Sequence, residues 1–204
     1  MTYKFALPIL AFAGLAACEI PDENTLSRAD YRAFEADDSF ARSLSITPAA
    51  DIPAGSATYQ GHIRSDATLE GQSGYQILGL LEMDVDISST SSIDGAGEVN
   101  GSITEVNLLD NRDDGYEDQS FAGELTVNGR VSQGQIDARA DGLLTGVLSD
   151  IGSDTADWDL TLEGNLRDST GEVAAGSVFG GTDGTNDDYD LQLLGGGRFY
   201  AERD

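Results

Sequence analysis

Trp158-Asp159-Leu160-Thr161-Leu162-Glu163-Gly164-Asn165-Leu166-Arg167 alternates without interruption. Trp158, Leu160, Leu162, Gly164 and Leu166 share one face. Asp159, Thr161, Glu163, Asn165 and Arg167 share the other, which Asp157 extends. Successive side chains of a strand point to opposite sides, so this run is a strand with one face in a core and one in water. The same period recurs along the chain from Ala57. Tyr59, Gly61 and Ile63 oppose Gln60, His62 and Arg64. Ile77, Gly79, Leu81, Met83, Val85 and Ile87 oppose a set ending in Glu82, Asp84 and Asp86. Phe121, Gly123, Leu125 and Val127 form another face. Weaker strands are expected near 98–106, 134–140, 143–148, 173–180, 189–194 and 197–202.

Eight to ten short strands with polar turns fit an up-and-down barrel or a sandwich, and Asn128-Gly129 and Asp141-Gly142 read as two of those turns. Glycine inside the strand faces, at 61, 79, 101, 123, 146 and 164, favours the barrel, where strands bend sharply and pack closely. The expected fold class is therefore all-β, a small antiparallel up-and-down barrel of about eight strands over residues 57–204. Tyr59, Leu81, Trp158, Leu160 and Phe199 would fill it, or it would enclose one small ligand.

Upstream the pattern changes. Residues 19–46 hold no glycine, and Leu26, Ala29, Ala33, Phe34, Phe40, Ala41 and Leu44 recur at helical spacing. Ser27 can cap a helix over about 27–44, with Asp30 in its first turn. A disordered tether is the competing reading, because Glu35-Ala36-Asp37-Asp38 interrupts the apolar face. Thr47 to Ser56, with Pro48, Pro53 and Gly55, reads as a linker.

The N-terminus reads as a secretory signal. Lys4 precedes an apolar stretch from Phe5 to Leu15, and Leu15-Ala16-Ala17-Cys18 ends it with small residues. The stretch is shorter than the roughly 20 apolar residues a membrane span needs. Leu-Ala-Ala-Cys resembles a bacterial lipobox, in which the cysteine is lipidated and becomes the first residue of the mature chain. Cys18 is the only cysteine, so it has no internal disulfide partner. Glu19 stands where an aspartate would retain a lipoprotein at the inner membrane, which points to the outer membrane. The expected organisation is a lipoprotein signal peptide at 1–17, a lipid anchor with helix and linker at 18–56, and the barrel at 57–204. The expected location is a lipid-anchored outer-membrane position, periplasmic or at the cell surface.

Thirty-seven acids face 11 basic residues, a formal charge of −26. Such a field repels nucleic acid and anionic lipid and excludes both as partners. It favours solubility, suits salty surroundings, and attracts cations or a basic protein.

Three stretches together resemble a known family. Pro53-Ala54-Gly55-Ser56-Ala57-Thr58-Tyr59-Gln60-Gly61 is similar to an opening strand. Gly171-Glu172-Val173-Ala174-Ala175-Gly176-Ser177-Val178-Phe179-Gly180 is similar to a glycine-rich penultimate strand. Gly195-Gly196-Gly197-Arg198-Phe199-Tyr200-Ala201-Glu202-Arg203 is similar to a closing strand. The resemblance is to the transferrin-binding protein B-like β-barrel domain of alphaproteobacterial surface lipoproteins. Asn165-Leu166-Arg167-Asp168 stands where that family often has Phe-Tyr-Gly-Pro. One barrel also leaves no room for a two-lobed transferrin receptor. The resemblance implies a barrel and surface display, and carries over no binding residue.

Chemistry is sparsely signalled. His62, the only histidine, shares a face with Gln60 and Arg64 and is expected to point to solvent, away from the buried setting a Ser-His-Asp triad needs. Gly71-Gln72-Ser73-Gly74 reads as a turn, not a nucleophile elbow. One histidine and a lipidated cysteine make no zinc set. Two acidic loops raise calcium as the one candidate cofactor. The first contains Asp110, Asp113 and Asp114, and the second contains Asp183, Asn186, Asp187 and Asp188. Calcium takes six to eight oxygens. Arg112 occupies the third position of the EF-hand-like first loop, where a ligand belongs, and the second loop lacks the pattern. Both are expected to be solvated hairpin tips. The expected function is non-enzymatic: a lipid-anchored binding or display module for an unidentified small molecule or protein. The alternative is a structural acidic surface coat.

Overall fold

The computed structural model describes residues 26–87, 97–112, 118–148, 152–182 and 189–204, with backbone alone at 147–148 and 152–154. Helix α1 (Arg28–Ser43) is followed by a 3-10 turn (Ala49–Asp51) and ten strands. These are β1 (Gly55–Leu69), β2 (Gln72–Ile87), β3 (Gly97–Asp110), β4 (Gln119–Gly123), β5 (Leu125–Ser132), β6 (Gln135–Leu148), β7 (Gly152–Arg167), β8 (Val173–Thr182), β9 (Leu191–Leu193) and β10 (Arg198–Arg203). Every strand pairing is antiparallel.

The sheet closes on itself. Neighbours in space are neighbours in sequence from β1 to β8, and β10 then pairs with both β8 and β1. β4 and β5 together fill one position between β3 and β6, and β9 and β10 together fill one between β8 and β1. Ten strands thus occupy eight positions of an up-and-down barrel, which has no exposed sheet edge to manage.

The alternating faces lie as the sequence implies. Trp158, Leu160, Leu162 and Leu166 are buried in one continuous core with Tyr59, Ile63, Leu81, Met83, Val127 and Phe199. The inside of the wall is packed with these side chains. Trp158 donates from Nε1 to the Tyr189 hydroxyl at 2.8 Å, and Phe121 meets its ring edge-on at 5.5 Å. Phe199 lies across Gly164 and Gly176, and a Cβ at Gly164 would fall 2.5 Å from its ring. The strand glycine there makes room for an aromatic ring, as barrels use them.

Several expected boundaries move. Asn128-Gly129 is not a turn: both residues pair with β3 on one side and β6 on the other. Asp141-Gly142 lies inside β6, opposite Asp159 and Trp158, so the two segments expected at 134–140 and 143–148 are one strand. The tight turns fall instead at Glu70-Gly71 and Gln133-Gly134, each with positive φ at both central residues (51° and 73°, 53° and 81°). That is the geometry of a hairpin turn whose twist matches its strands. Gln72, Ser73 and Gly74 belong to β2, not to the turn. The strand expected through Phe121 to Val127 breaks at Glu124, just after Gly123 (φ 124°). β3 carries a kink at Glu105 (φ 48°), opposite a register shift between Leu78 and Leu80. The kink reverses parity: Ile103 faces the core before it, Val106 and Leu108 after it.

The helix forms as expected and is packed, not free. Ser27 and Asp30 make a capping box: Ser27 N donates to Asp30 Oδ2 at 2.8 Å. The helix lies diagonally across the outer wall. Tyr31 packs on Leu78 of β2 and Leu109 of β3, and Ala41 packs on Val173 and Ala175 of β8 and Tyr200 of β10. Arg167 donates from Nη1 to the Leu44 carbonyl at 3.0 Å, which meets the negative end of the helix. The linker is docked too. Thr47 N donates to Leu166 O at 3.0 Å, Thr47 Oγ1 to Asp168 O at 2.7 Å, and Ile52 packs against the core between Gly134 and Gly171. Ile52 therefore stoppers the barrel end where β7 finishes. No helix among the described residues is long and apolar enough to cross a membrane.

Candidate functional site: a buried ionic cluster beneath the helix

Residues 58, 60, 62, 64 and 66 of β1 face outward, opposite the core set of Tyr59, Ile63 and Ala67. Parity thus places His62 and Arg64 outside the barrel, as the sequence implies. The expectation that His62 meets solvent is wrong, because α1 crosses over it. His62 is 3% exposed and Arg64 8%. The His62 ring stacks on Phe34 of the helix, with centroids 3.7 Å apart and planes within 5°, and meets Tyr200 at 5.5 Å.

Asp38 supplies the opposing charge. It belongs to the acidic stretch that interrupts the apolar face of the helix, yet it is buried. Its Oδ2 accepts from Nε of Arg64, and its Oδ1 lies 3.8 Å from His62 Nε2. Arg64 also donates from Nη1 to the Tyr31 hydroxyl at 3.3 Å, with its guanidinium 5.3 Å from the Tyr31 ring centre. Tyr31 in turn donates to Asp66 Oδ1 at 3.1 Å, which also accepts from Gln76 Nε2. Burial works against the Arg64 charge, but Asp38 and Tyr31 outweigh it and hold the guanidinium above its ordinary value. Burial, then the Asp66 charge, pushes the Tyr31 hydroxyl up. Burial, then the hydrogen bond to Glu202, pushes the Tyr200 hydroxyl up as well.

His62 Nε2 has no hydrogen-bond partner among the described residues. Among the described residues no hydroxyl is hydrogen-bonded to this nitrogen, where a triad would place its nucleophile. The cluster instead ties one element to another. Removing one partner of such a pair strands a buried charge, which makes the pair a strong determinant of where the helix sits.

The sequence signal for this cluster lay on the outward faces. Leu78, Leu109, Val173, Ala175 and Tyr200 are buried residues on the outer side of the wall. Apolar side chains where alternation calls for polar ones mark a second layer.

The acidic candidates divide. Asp110 is described, and its carboxylate is engaged by Arg112 Nη2 at 2.7 Å and Nε at 3.0 Å. Burial alone would raise that carboxyl, but Arg112 and the nearby Arg28 outweigh it and hold it below the usual carboxylate range. The arginine at the third loop position thus occupies the oxygens a cation would need. Asp113, Asp114, Asp183, Asn186, Asp187 and Asp188 lie outside the described residues, as does Cys18. Among the described residues, no three His, Cys, Asp or Glu side chains gather as a metal site.

The outer wall away from the helix is acidic. Asp86 stands opposite Glu98, and Asp141 opposite Asp159. Arg139 bridges to Asp159 at 2.6 Å and Arg130 to Asp137 at 3.1 Å. Like charges directly opposite are destabilising, so these arginines relieve part of the strain. No protein-family model, no curated protein and no solved structure matches the chain.

Proposed function

We propose that this chain is a lipid-anchored envelope lipoprotein whose barrel is a surface binding or display module. The family resemblance to transferrin-binding protein B-like barrels belongs to the same reading. The observation that carries it is the clamped helix. Asp38 on Arg64 and Arg167 on the helix C-terminus fix α1 to the wall, so from Leu26 onward the segment that follows Cys18 is a rigid strut held on the barrel. A strut of that kind suits presentation of a folded domain from an anchored residue.

The packed inner wall favours contacts made by the outer surface and loops over capture of a small molecule inside the barrel. A second reading has its own support. Acids stand opposite acids on the outer wall, a pattern suited to a hydrated coat that excludes other surfaces.

The test of anchoring is Cys18→Ser. Labelled palmitate enters the wild-type chain and not the variant, and the variant accumulates as precursor or as released protein. Equal incorporation into both overturns the reading. Cross-linking on intact cells separates binding from coat: a discrete adduct of defined mass supports binding, and a diffuse or absent one supports the coat.

A further inference from the structure

The acids of the outer wall are answered unevenly. On β5 to β7, Arg130 and Arg139 pair with Asp137 and Asp159. Across the barrel, one lateral row runs through Glu202 of β10, Gln60 of β1, Glu82 of β2 and Ser102 of β3, and Asp84 stands in the next row. Glu202, Glu82 and Asp84 are all exposed, and none of them forms an ion pair among the described residues. Their partners are neutral: Gln60 Nε2 donates to Glu82 at 3.3 Å, Thr58 to Asp84 at 2.7 Å, and the Tyr200 hydroxyl to Glu202. Arg64, the outward arginine of β1 nearest this row, is taken by Asp38 beneath the helix.

A groove of about 410 Å³ opens on this row, lined by Gln60, Gly61, Leu80, Leu81, Glu82 and Thr104. Leu80 pairs with His62 on one side and Thr104 on the other. The helix covers His62 and Leu78 but leaves Leu80 half-exposed. The wall also bends here, through the register shift between Leu78 and Leu80 and the left-handed Glu105 (φ 48°). Such irregularities re-aim side chains and break the smooth face of a sheet. The result is an apolar floor beside an unpaired carboxylate, which suits a long side chain with an apolar stem and a cationic head.

We propose that this groove receives an arginine side chain from a basic segment of a partner protein. The inference rests on the binding reading above and names the chemistry of the partner. The arginine stem lies along Leu80. Its guanidinium meets the Glu82 carboxylate, with the Gln60 Oε1 and the Thr104 hydroxyl as further acceptors. Gln60 gives its Nε2 to Glu82, which leaves its Oε1 to the ligand. The planar fork of an arginine engages a carboxylate with two parallel bonds, where a lysine brings only a point charge. Asp84 and Glu202 extend the negative field around the groove and steer a basic segment towards it.

The test titrates the full chain in detergent, at physiological ionic strength, against a fluorescein-labelled peptide of alternating glycine and arginine, and reads anisotropy. Glu82→Gln is expected to weaken binding about tenfold or more, the value of a charge-assisted hydrogen bond. Glu163→Gln makes the same change on β7, on the opposite side of the barrel, and is expected to leave binding close to wild type. Equal loss in both variants would reveal a diffuse field with no seat, and overturns the proposal. So does equal affinity for the matching glycine-lysine peptide. Sedimentation of the chain alone tests a second copy as the occupant: a dimer that Glu82→Gln dissociates overturns the proposal too. Cross-linking on intact cells is then repeated with Glu82→Gln. Loss of a discrete wild-type adduct supports the groove. An adduct that persists in the variant overturns the groove and leaves the binding reading standing, whereas a wild type with no discrete adduct defeats that reading and the proposal with it.

Discussion

Asp38 is the side chain on which the docked helix most depends. It is buried, it takes its main hydrogen bond from Arg64, and it sits where an amphipathic helix would carry an apolar residue. Asp38→Ala is expected to destabilise the protein by about 3–5 kcal/mol, because Arg64 is left charged and unpaired under the helix. Urea unfolding measures this, and a loss below about 1 kcal/mol, the value of an exposed pair, would mean that water reaches the cluster. Trp158→Ala is expected to cost about 3–5 kcal/mol as well, through a cavity in the core and the loss of the bond to Tyr189. An unfolding midpoint equal to wild type would place Trp158 outside the core. Asp110 predicts a pH dependence. Its carboxyl sits lower in the fold than in the unfolded chain, whose value is near ~3.9. Its contribution is therefore full above that value and is lost as pH falls through the lower folded one. Asp110→Asn should flatten the acid limb of the melting temperature between those two values, and an unchanged acid limb would contradict the assignment. At this scale the sequence was half legible. Alternation told which side of β1 carries His62, but not that α1 covers that side, since period two is blind to what lies beyond the sheet.

Elements were legible where periodicity was long and misread where a dipeptide stood for a turn. α1 falls where its pattern puts it, within a residue or so, and β7 ends where its alternation ends but begins at Gly152, ahead of the alternating run. Asn128-Gly129 and Asp141-Gly142 have the residues of a hairpin turn but lie in strands paired on both sides. Two rows of ladder hydrogen bonds outweigh a local preference worth about 1 kcal/mol. The real turns use Glu70 and Gln133 in the left-handed region and accept that cost, each with a glycine following. Ser27→Ala tests the helix as an element. Losing the Ser27 hydroxyl, which accepts from Ala29 N and donates to Asp30 Oδ2, should cost about 1 kcal/mol and speed amide exchange in the first turn. Exchange there no faster than wild type would show that docking alone holds the helix start.

The molecule as a whole couples a closed barrel to a large negative charge. If the acids only solvate, sodium chloride should raise the melting temperature smoothly by screening self-repulsion, and calcium should add nothing beyond its ionic strength. Saturable stabilisation by calcium in high salt, abolished in Asp187→Asn/Asp188→Asn or in Asp110→Asn/Asp114→Asn, would instead establish a bound ion. Charge and barrel closure were readable from composition and from glycine within strand faces. The union of helix, linker and barrel was not, because it rests on Asp38, Arg64, Thr47 and Ile52, residues far apart in sequence whose pairing leaves no period. That union is the central claim, and hydrogen exchange measures it most directly. Amides of Tyr31 to Ser43 should exchange as slowly as those of the neighbouring stretch of β1, with both released together in Asp38→Ala. Fast exchange through the helix while β1 stays protected would contradict the account and return residues 26–46 to the status of a loose tether.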